Sequence, residues 1–577
     1  MESQVSFFQK LKQRNVIRVA IGYVVVGWAL VEAAELLLEA FSGPDWAMRA
    51  IVLSVAGGLP IALIVSWMFE LTPEGIRRED GVDTSEEVRF KARTGRKTDL
   101  IIMGALTLVV SYFVLEKIWQ SDVVRGEQLR AIAVLPFADM SARRDQEYFA
   151  EGLTVELLNL LSRNTDLRVT GRTSAFQFKD HAGDFRTIGK TLGVGTILEG
   201  TVRAVDNNIR ISTNLIDADR GQTLWSANFD RQLTNILQVQ DEIARAVVKE
   251  LEGQLLDIAE EPEQREVVAE AYRAFQQGNY LQGLVSVQNQ EQAIDYFNEA
   301  RAADPGYAEP LVGLANANLM LGLNLASLDP ELAISQATAW IDEALTLDDE
   351  LPDAYVARAL IRQVVSQDYA GAEIDLKRAL DIYPNHTTAL RRLGTIYGRF
   401  GRYDEAMGSF QRIVDRDPLN HLSYSNYSLN ALAAGQVSLA EEMIRKVIEF
   451  KPDSGFAHYQ LTKVLLAQDK VAEAREAIEN ETSPIWQTIG NGMIACAAGE
   501  TEEAYAVAQE LIAQREVFNA AEIYGLCGDT EMVFELLDQA AEARDPALIE
   551  MKLSWQLAYL RDDPRWHAVL KKVGLPV

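Results

Sequence analysis

Residues 387–420 read TTALRRLGTIYGRFGRYDEAMGSFQRIVDRDPLN, and this stretch decides the fold of the larger part of the chain. Leu393, Gly394 and Tyr397 share one face of a first helix, and Ala406, Phe410 and Ile413 share one face of a second. The glycine and the alanine let the two helices approach closely, while the large residues fill the space between them. Pro418 ends the second helix and starts the turn to the next. Pro384, Pro418 and Pro452 stand 34 residues apart, and Ala379, Ile413 and Val447, five residues before each, occupy the position where one helix packs on the next.

The pattern extends in both directions. Downstream, Ala440 and Ile444 repeat it, as do Ala474 and Ile478. Upstream, Ala372, Leu376 and Ala379 fit, as do Ala337, Ile341 and Ala344, and then Ala293, Phe297, Ala300 and Pro305. After Pro484 the register loosens, although GNGMIACAAGETEEAYAVAQEL and AAEIYGLCGDTEMVFELLDQA still read as helix–turn–helix pairs. About eight pairs fit between 265 and 577. No pair buries its own apolar face, so the pairs are expected to stack into one solenoid over 269–577.

The unit at 387–420 closely resembles the tetratricopeptide signature, and WQLAYLRDDPRWHAVLKKVGL resembles the end cap of that family. The resemblance implies a concave surface lined by first helices that takes a protein or peptide partner, or another copy of the chain. Arg391, Thr395 and Asn426 stand at positions that resemble part of a clamp for peptide C-terminal carboxylates. Phe456 and Gln460 stand where such a clamp would want basic residues, so the clamp is incomplete and a more general groove is expected. Cys496 and Cys527 fall near the ends of successive first helices. An oxidising compartment would allow them to pair. However, helix axes lie about 8–10 Å apart against the roughly 7 Å limit between bonded Cα atoms, and this favours two buried thiols.

Before the solenoid the periodicity changes. AIAVLPFAD (131–139) reads as a buried strand, and EYFAEGLTVELLNLLSR (147–163) as an amphipathic helix. LRVTGRTSAFQF (167–178) reads as a strand, and 187–192 as a short helix. GTILEGTVRAVD and NIRISTNLIDAD flank a tight turn. In the second of these, Ile209, Ile211, Thr213 and Leu215 face one way, and Arg210, Ser212 and Asn214 the other. A strand at 222–232 and a helix at 235–256 complete an expected α+β domain over 121–256, followed by an acidic linker at 257–268. These strings resemble the TolB N-terminal/FlgO-like family, which implies assembly or docking rather than turnover. Arg168, Arg172 and Lys179 are candidates for a small anion patch, set against a plain solvated strand face.

The first 120 residues hold three apolar runs, at about 17–38, 50–69 and 99–119. They are read as three transmembrane helices. Lys and Arg are concentrated in 1–18 and 71–99, which predicts a cytoplasmic N-terminus and a periplasmic location for everything after about 120. Glu32 and Glu35 are expected at the outer interface. The strings FFQKLKQRNVIRVAIGYVVVGWALVE and PIALIVSWMFELTPEGIRRE resemble bacterial inner-membrane tetratricopeptide proteins with a TolB/FlgO-like domain. The overall expectation is a multidomain protein of the bacterial inner membrane, and a transmembrane sensor is the alternative to a scaffold.

The chain of 577 residues has 55 Lys+Arg against 84 Asp+Glu, a formal charge of −29. Residues 1–120 hold 13 basic and 14 acidic residues, so the remaining 42 and 70 place −28 on 121–577. Nucleic acid is a poor partner for such a surface. Two cysteines exclude a disulfide scaffold, and five histidines disfavour a His-rich metal site. No nucleophile elbow, HExxH, phosphate loop or paired-carboxylate motif occurs. The chain is therefore read as a non-enzyme with no cofactor.

Overall fold

The computed structural model describes residues 130–142, 146–163, 167–179, 184–205, 208–232 and 267–576. It also describes 51–60, 69–72, 75–78 and isolated positions at 23, 27, 31, 62, 243, 246 and 249. The chain divides into two compact units, Met1–Gly126 and Glu127–Val577.

In the first unit a helix covers 51–60. Two short strands, β1 (Phe69–Thr72) and β2 (Gly75–Arg78), pair antiparallel with Phe69 opposite Arg78 and Thr72 opposite Gly75. The Tyr23 hydroxyl donates to the Val55 carbonyl at 2.8 Å. Among the described residues no helix is long and apolar enough to cross a membrane. This corrects the reading of three transmembrane helices, and with it the inner-membrane location with a periplasmic C-terminal part. The end of the run at 50–69 is already strand. Hydropathy alone does not distinguish a helix facing lipid from one packed against its own chain. The runs at 17–38 and 99–119 otherwise lie outside the described residues, as do Glu32 and Glu35.

The second unit begins with a mixed sheet. Strands β3 (Ala131–Val134), β4 (Ala138–Asp139), β5 (Arg168–Val169), β6 (Thr196–Val205), β7 (Asn208–Asp217) and β8 (Gln222–Gln232) take the order β5-β3-β6-β7-β8, and β4 pairs with β6. The β3 strand runs parallel to both of its neighbours, whereas β6, β7 and β8 form an antiparallel meander. In β7, Ile209, Ile211, Thr213 and Leu215 are buried while Arg210 is exposed, as the alternation predicts. Helix α1 (Glu147–Arg163) covers one face with Phe149, Leu153, Leu157 and Leu161. Helix α3 (Phe185–Leu192) covers the other with Ile188 and Leu192.

The stretch expected as a strand over 167–178 is corrected. Only Arg168–Val169 is strand, and Arg172–Phe176 forms a short helix, α2. The helix expected at 235–256 falls outside the described residues except for 243, 246 and 249, which are helical.

Eight helix pairs follow among the described residues. They are α4 (Ala269–Gly283) with α5 (Val287–Ala303), α6 (Glu309–Leu319) with α7 (Pro330–Leu347), α8 (Pro352–Ser366) with α9 (Tyr369–Ile382), and α10 (Thr387–Arg399) with α11 (Tyr403–Val414). Then come α12 (His421–Ala433) with α13 (Val437–Phe450), α14 (Ala457–Leu466) with α15 (Val471–Ile478), α16 (Pro484–Ala497) with α17 (Thr501–Ala513), and α18 (Val517–Leu526) with α19 (Thr530–Ala543). A 3₁₀ segment (Pro546–Leu553) and helix α20 (Pro564–Lys572) end the chain.

The turn inside each of the last six pairs carries one residue with left-handed backbone: Gln367, Gly401, Gly435, Asp469, Gly499 and Gly528. The step between these residues is 34 three times and then falls to 30 and 29. That shortening is the loosened register after Pro484.

The sheet and the solenoid share their cores. Ala271 and Tyr272 of α4, with Tyr307, belong to the cluster under α1. Leu419 belongs to the cluster under α3.

Candidate protein-binding groove

First helices α10, α12 and α14 carry four of the five residues singled out for the groove, with Phe456 just before α14, and the structure does not assemble them into a clamp. Thr395 turns its hydroxyl back to the Arg391 carbonyl at 2.9 Å, and Asn426 donates to the Leu422 carbonyl at 2.7 Å. Phe456 packs edge-on to Trp486, with ring centroids 4.9 Å apart, as part of the wall. Gln460 is only 4% exposed and donates across to Ser425 of α12 at 3.4 Å. Burial lowers the pKa of Arg391.

Beside it stands a residue that sequence reasoning passed over. Arg392 has its Nε buried without a hydrogen-bond partner, and burial together with Arg391 pushes its pKa down to about 10. Arg391 and Arg392 are thus two adjacent, poorly solvated guanidiniums on one first helix. The only local signal was the doublet itself.

The C-terminal segment crosses the opposite ends of the first helices. Glu550 accepts from Arg399 of α10 at 2.9 Å, and Arg561 donates to the Ala433 carbonyl of α12 at 3.3 Å. Gln556 reaches the Met493 sulfur of α16 at 3.4 Å, and Tyr559 the Gly525 carbonyl of α18 at 3.3 Å. One short segment touches helices from α10 to α18, so the array must curl with its first helices inward. The tail therefore occupies part of the surface they line. Between α14 and α18, Lys463 and Glu522 form a buried pair at 3.8 Å.

Cys496 and Cys527 are bonded, with Cα atoms 5.4 Å apart, which corrects the reading of two thiols. The axis-spacing argument omitted the helix radius. Facing Cα atoms lie about 2.3 Å from each axis toward the partner, so a spacing of 8–10 Å leaves roughly 3.4–5.4 Å between them.

The sheet domain meets the same repeat at its other turn. The Asp417 carboxylate, 2% exposed, accepts from the Ser174 backbone N–H at 2.7 Å, from the Ser174 hydroxyl, and from Asn420 Nδ2 at 2.8 Å. It thereby caps α2, which lacks a side-chain cap of its own. A Cβ on Gly171 would meet the Asp417 side chain at 2.6 Å, so only glycine permits this approach. Gly171 N–H donates to the Arg416 carbonyl at 2.7 Å, and Arg168 donates to the Asp415 carbonyl at 3.0 Å.

The three cations proposed as an anion patch are not gathered. Arg168 faces Asp415, Arg172 stacks on Phe176, and Lys179 is held by Glu147 and Glu151. Among the described residues no three His, Cys, Asp or Glu side chains cluster as metal ligands.

A family model described as tetratricopeptide repeat matches residues 358–421. With the helix pairs above, this establishes that the chain carries tetratricopeptide repeats, a class that binds protein or peptide partners. Two curated relatives match part of the chain. "Putative adenylate cyclase 3" of Rhizobium meliloti (strain 1021) is 32% identical over 239 residues, covering 40% of this chain and 40% of that protein. "TPR repeat-containing protein YpiA" of Bacillus subtilis (strain 168) is 23% identical over 286 residues, covering 48% and 65%. The chain thus spans less than two thirds of the length of either. Among solved structures, Pseudomonas aeruginosa PilF is 16% identical with a TM-score of 0.30, covering 40% of this chain and 99% of that one.

Proposed function

We propose that the protein is a non-enzymatic scaffold. Its solenoid holds a protein or peptide segment, and its α+β domain, similar to TolB/FlgO-like domains, serves assembly. The observation that carries this reading is the inward-facing row of first helices with Arg391, Arg392 and Asn426 on the stretch left by the tail. The two guanidiniums favour a segment that brings a carboxylate, while the charge of −29 disfavours nucleic acid. A peptide library screened against the full chain tests it. Ligands should lose affinity by about tenfold or more with Arg391→Glu or Asn426→Trp, and keep it with Ile374→Ser on an exposed second-helix face. Equal losses at all three positions would overturn the groove.

A second reading rests on the relative named as a putative adenylate cyclase. The shared stretch is then an adaptor module for a signalling partner. Purified chain that converts ATP to cyclic AMP would overturn both readings.

A further inference from the structure

Between the C-terminal cap and the α10–α11 turn lies a cavity of about 300 Å³, which the peptide-groove reading does not use. Phe400 comes from the turn, Tyr403 from the start of α11, Lys552 from the 3₁₀ segment, Arg561 from the loop after it, and Trp566 and His567 from α20. The cavity therefore exists only when the tail is docked.

Its charge runs against the net charge of the chain, −29. In a chain with 84 acidic residues to 55 basic ones, no carboxylate lines this cavity, while an ammonium, a guanidinium and an imidazole do. Four other cations at contacts between elements of the solenoid meet acids: Arg301 with Glu343, Arg399 with Glu550, Arg402 with Glu373, and Arg565 with Glu531. Lys552 and Arg561 form no ion pair among the described residues. Lys552 reaches only the Phe400 carbonyl at 3.4 Å. Arg561 reaches only the Ala433 and Lys552 carbonyls, at 3.3 and 3.1 Å, and its Nε is buried without a partner. Burial and the neighbouring Arg561 lower the pKa of Lys552. Two carboxylates on the same segment are engaged elsewhere, Glu550 by Arg399 and Asp563 by Arg565.

Unpaired, partly desolvated cations beside a cavity are unfavourable unless an anion completes them. The remaining walls are apolar: Trp566 is buried, and the Tyr403 ring lies 5.6 Å from the Arg561 guanidinium carbon. The volume is at the small end of ligand sites, of roughly 300–1,000 Å³, and admits a metabolite-sized group rather than a helix.

We propose that this cavity binds a small organic anion, with Lys552 and Arg561 holding its carboxylate or phosphate and Phe400, Tyr403 and Trp566 enclosing its apolar body. Because the walls come from both tail and repeat, the ligand fastens one to the other.

Titration of the full chain with inorganic phosphate, benzoate, and one short peptide with a free or an amidated C-terminus tests the site. Saturable binding of at least one probe, with a raised melting temperature, is expected. Lys552→Met and Arg561→Gln should each weaken it by about tenfold or more. Lys571→Met, on exposed α20 surface, should leave it unchanged. Arg561 also holds the tail to Ala433, so its variant alone could act by loosening the tail. Lys552→Met has only one long contact to lose, and its unchanged melting temperature without ligand controls for this. Preference for phosphate or benzoate identifies a free metabolite, and preference for the free-acid peptide a chain terminus; either supports the site. No saturable binding by any probe, or undiminished binding by the Lys552→Met/Arg561→Gln double variant, overturns it.

Discussion

Two distant segments grip the same repeat, and they do so by different physics. On one side the sheet domain seats Gly171 and Ser174 on the turn at 415–420. The contact centres on a buried carboxylate with three short hydrogen bonds and no counter-cation. On the other side the tail crosses the ends of α10 and α12 through one partly exposed ion pair and two hydrogen bonds beyond 3 Å. The first contact is steric and dry, so its geometry is over-determined. The second is polar at its edge, but its underside is apolar: Leu548, Met551, Leu557 and Leu560 are buried in one core with the repeat helices on which they rest.

The largest expected effect tests that surface. Replacing Cys496 and Cys527 by serine unclamps α16 from α18, on which Gln556 and Tyr559 rest. Removing a link across 31 residues should cost about 3–4 kcal/mol, measured by denaturant unfolding under oxidising conditions. A smaller loss would place the tail's strength in its polar contacts after all.

Next, Asp417→Ala leaves the Ser174 N–H, the Ser174 hydroxyl and Asn420 without their acceptor. It should cost about 3 kcal/mol. Hydrogen exchange should rise in α2 and at 415–420 together, and a rise confined to one side would break the idea of a shared clasp.

Glu550→Gln should cost less than about 1 kcal/mol, because its pair with Arg399 is partly exposed. Its readout is faster proteolysis of the tail at unchanged global stability.

The smallest effect is one of pH. The hydrogen bond from Arg402 holds Glu405 below its ordinary 4.5. In Glu373 burial pushes upward, but Lys377 and Arg402 prevail and it too lies below 4.5. Depressed carboxyls stabilise fully above 4.5, and the contribution is lost as pH falls through their folded values. Local exchange at α9–α11 should therefore accelerate below about pH 4.5.

What was legible in the sequence was local. The 34-residue recurrence of Pro384, Pro418 and Pro452, the small-to-large packing of Gly394 on Phe410, and the alternation along Ile209–Leu215 each depend on near neighbours. Each appears in the fold. What was not legible depends on residues far away in the chain. The 167–178 segment has strand-like composition, but a cap 243 residues downstream makes part of it a helix. Phe456 and Gln460 looked like groove residues because nothing local shows that Trp486 and Ser425 would draw them into the wall. Lys552 and Arg561 look like ordinary surface cations until the tail folds back. The apolar runs before residue 120 were read by hydropathy, which reports dryness and not what provides it.

The repeat at 387–420 has a further consequence for how the chain folds. A linear solenoid can unravel from either end, one unit at a time. Here the sheet domain reaches Asp417 across 243 residues of chain, and Glu550 reaches Arg399 across 151. Those two closures meet at one node, so neither end is free to peel. The array should melt in one concerted step rather than a ladder of steps. It should also refold slowly for a helical protein, because both long loops must close before the node has all its contacts.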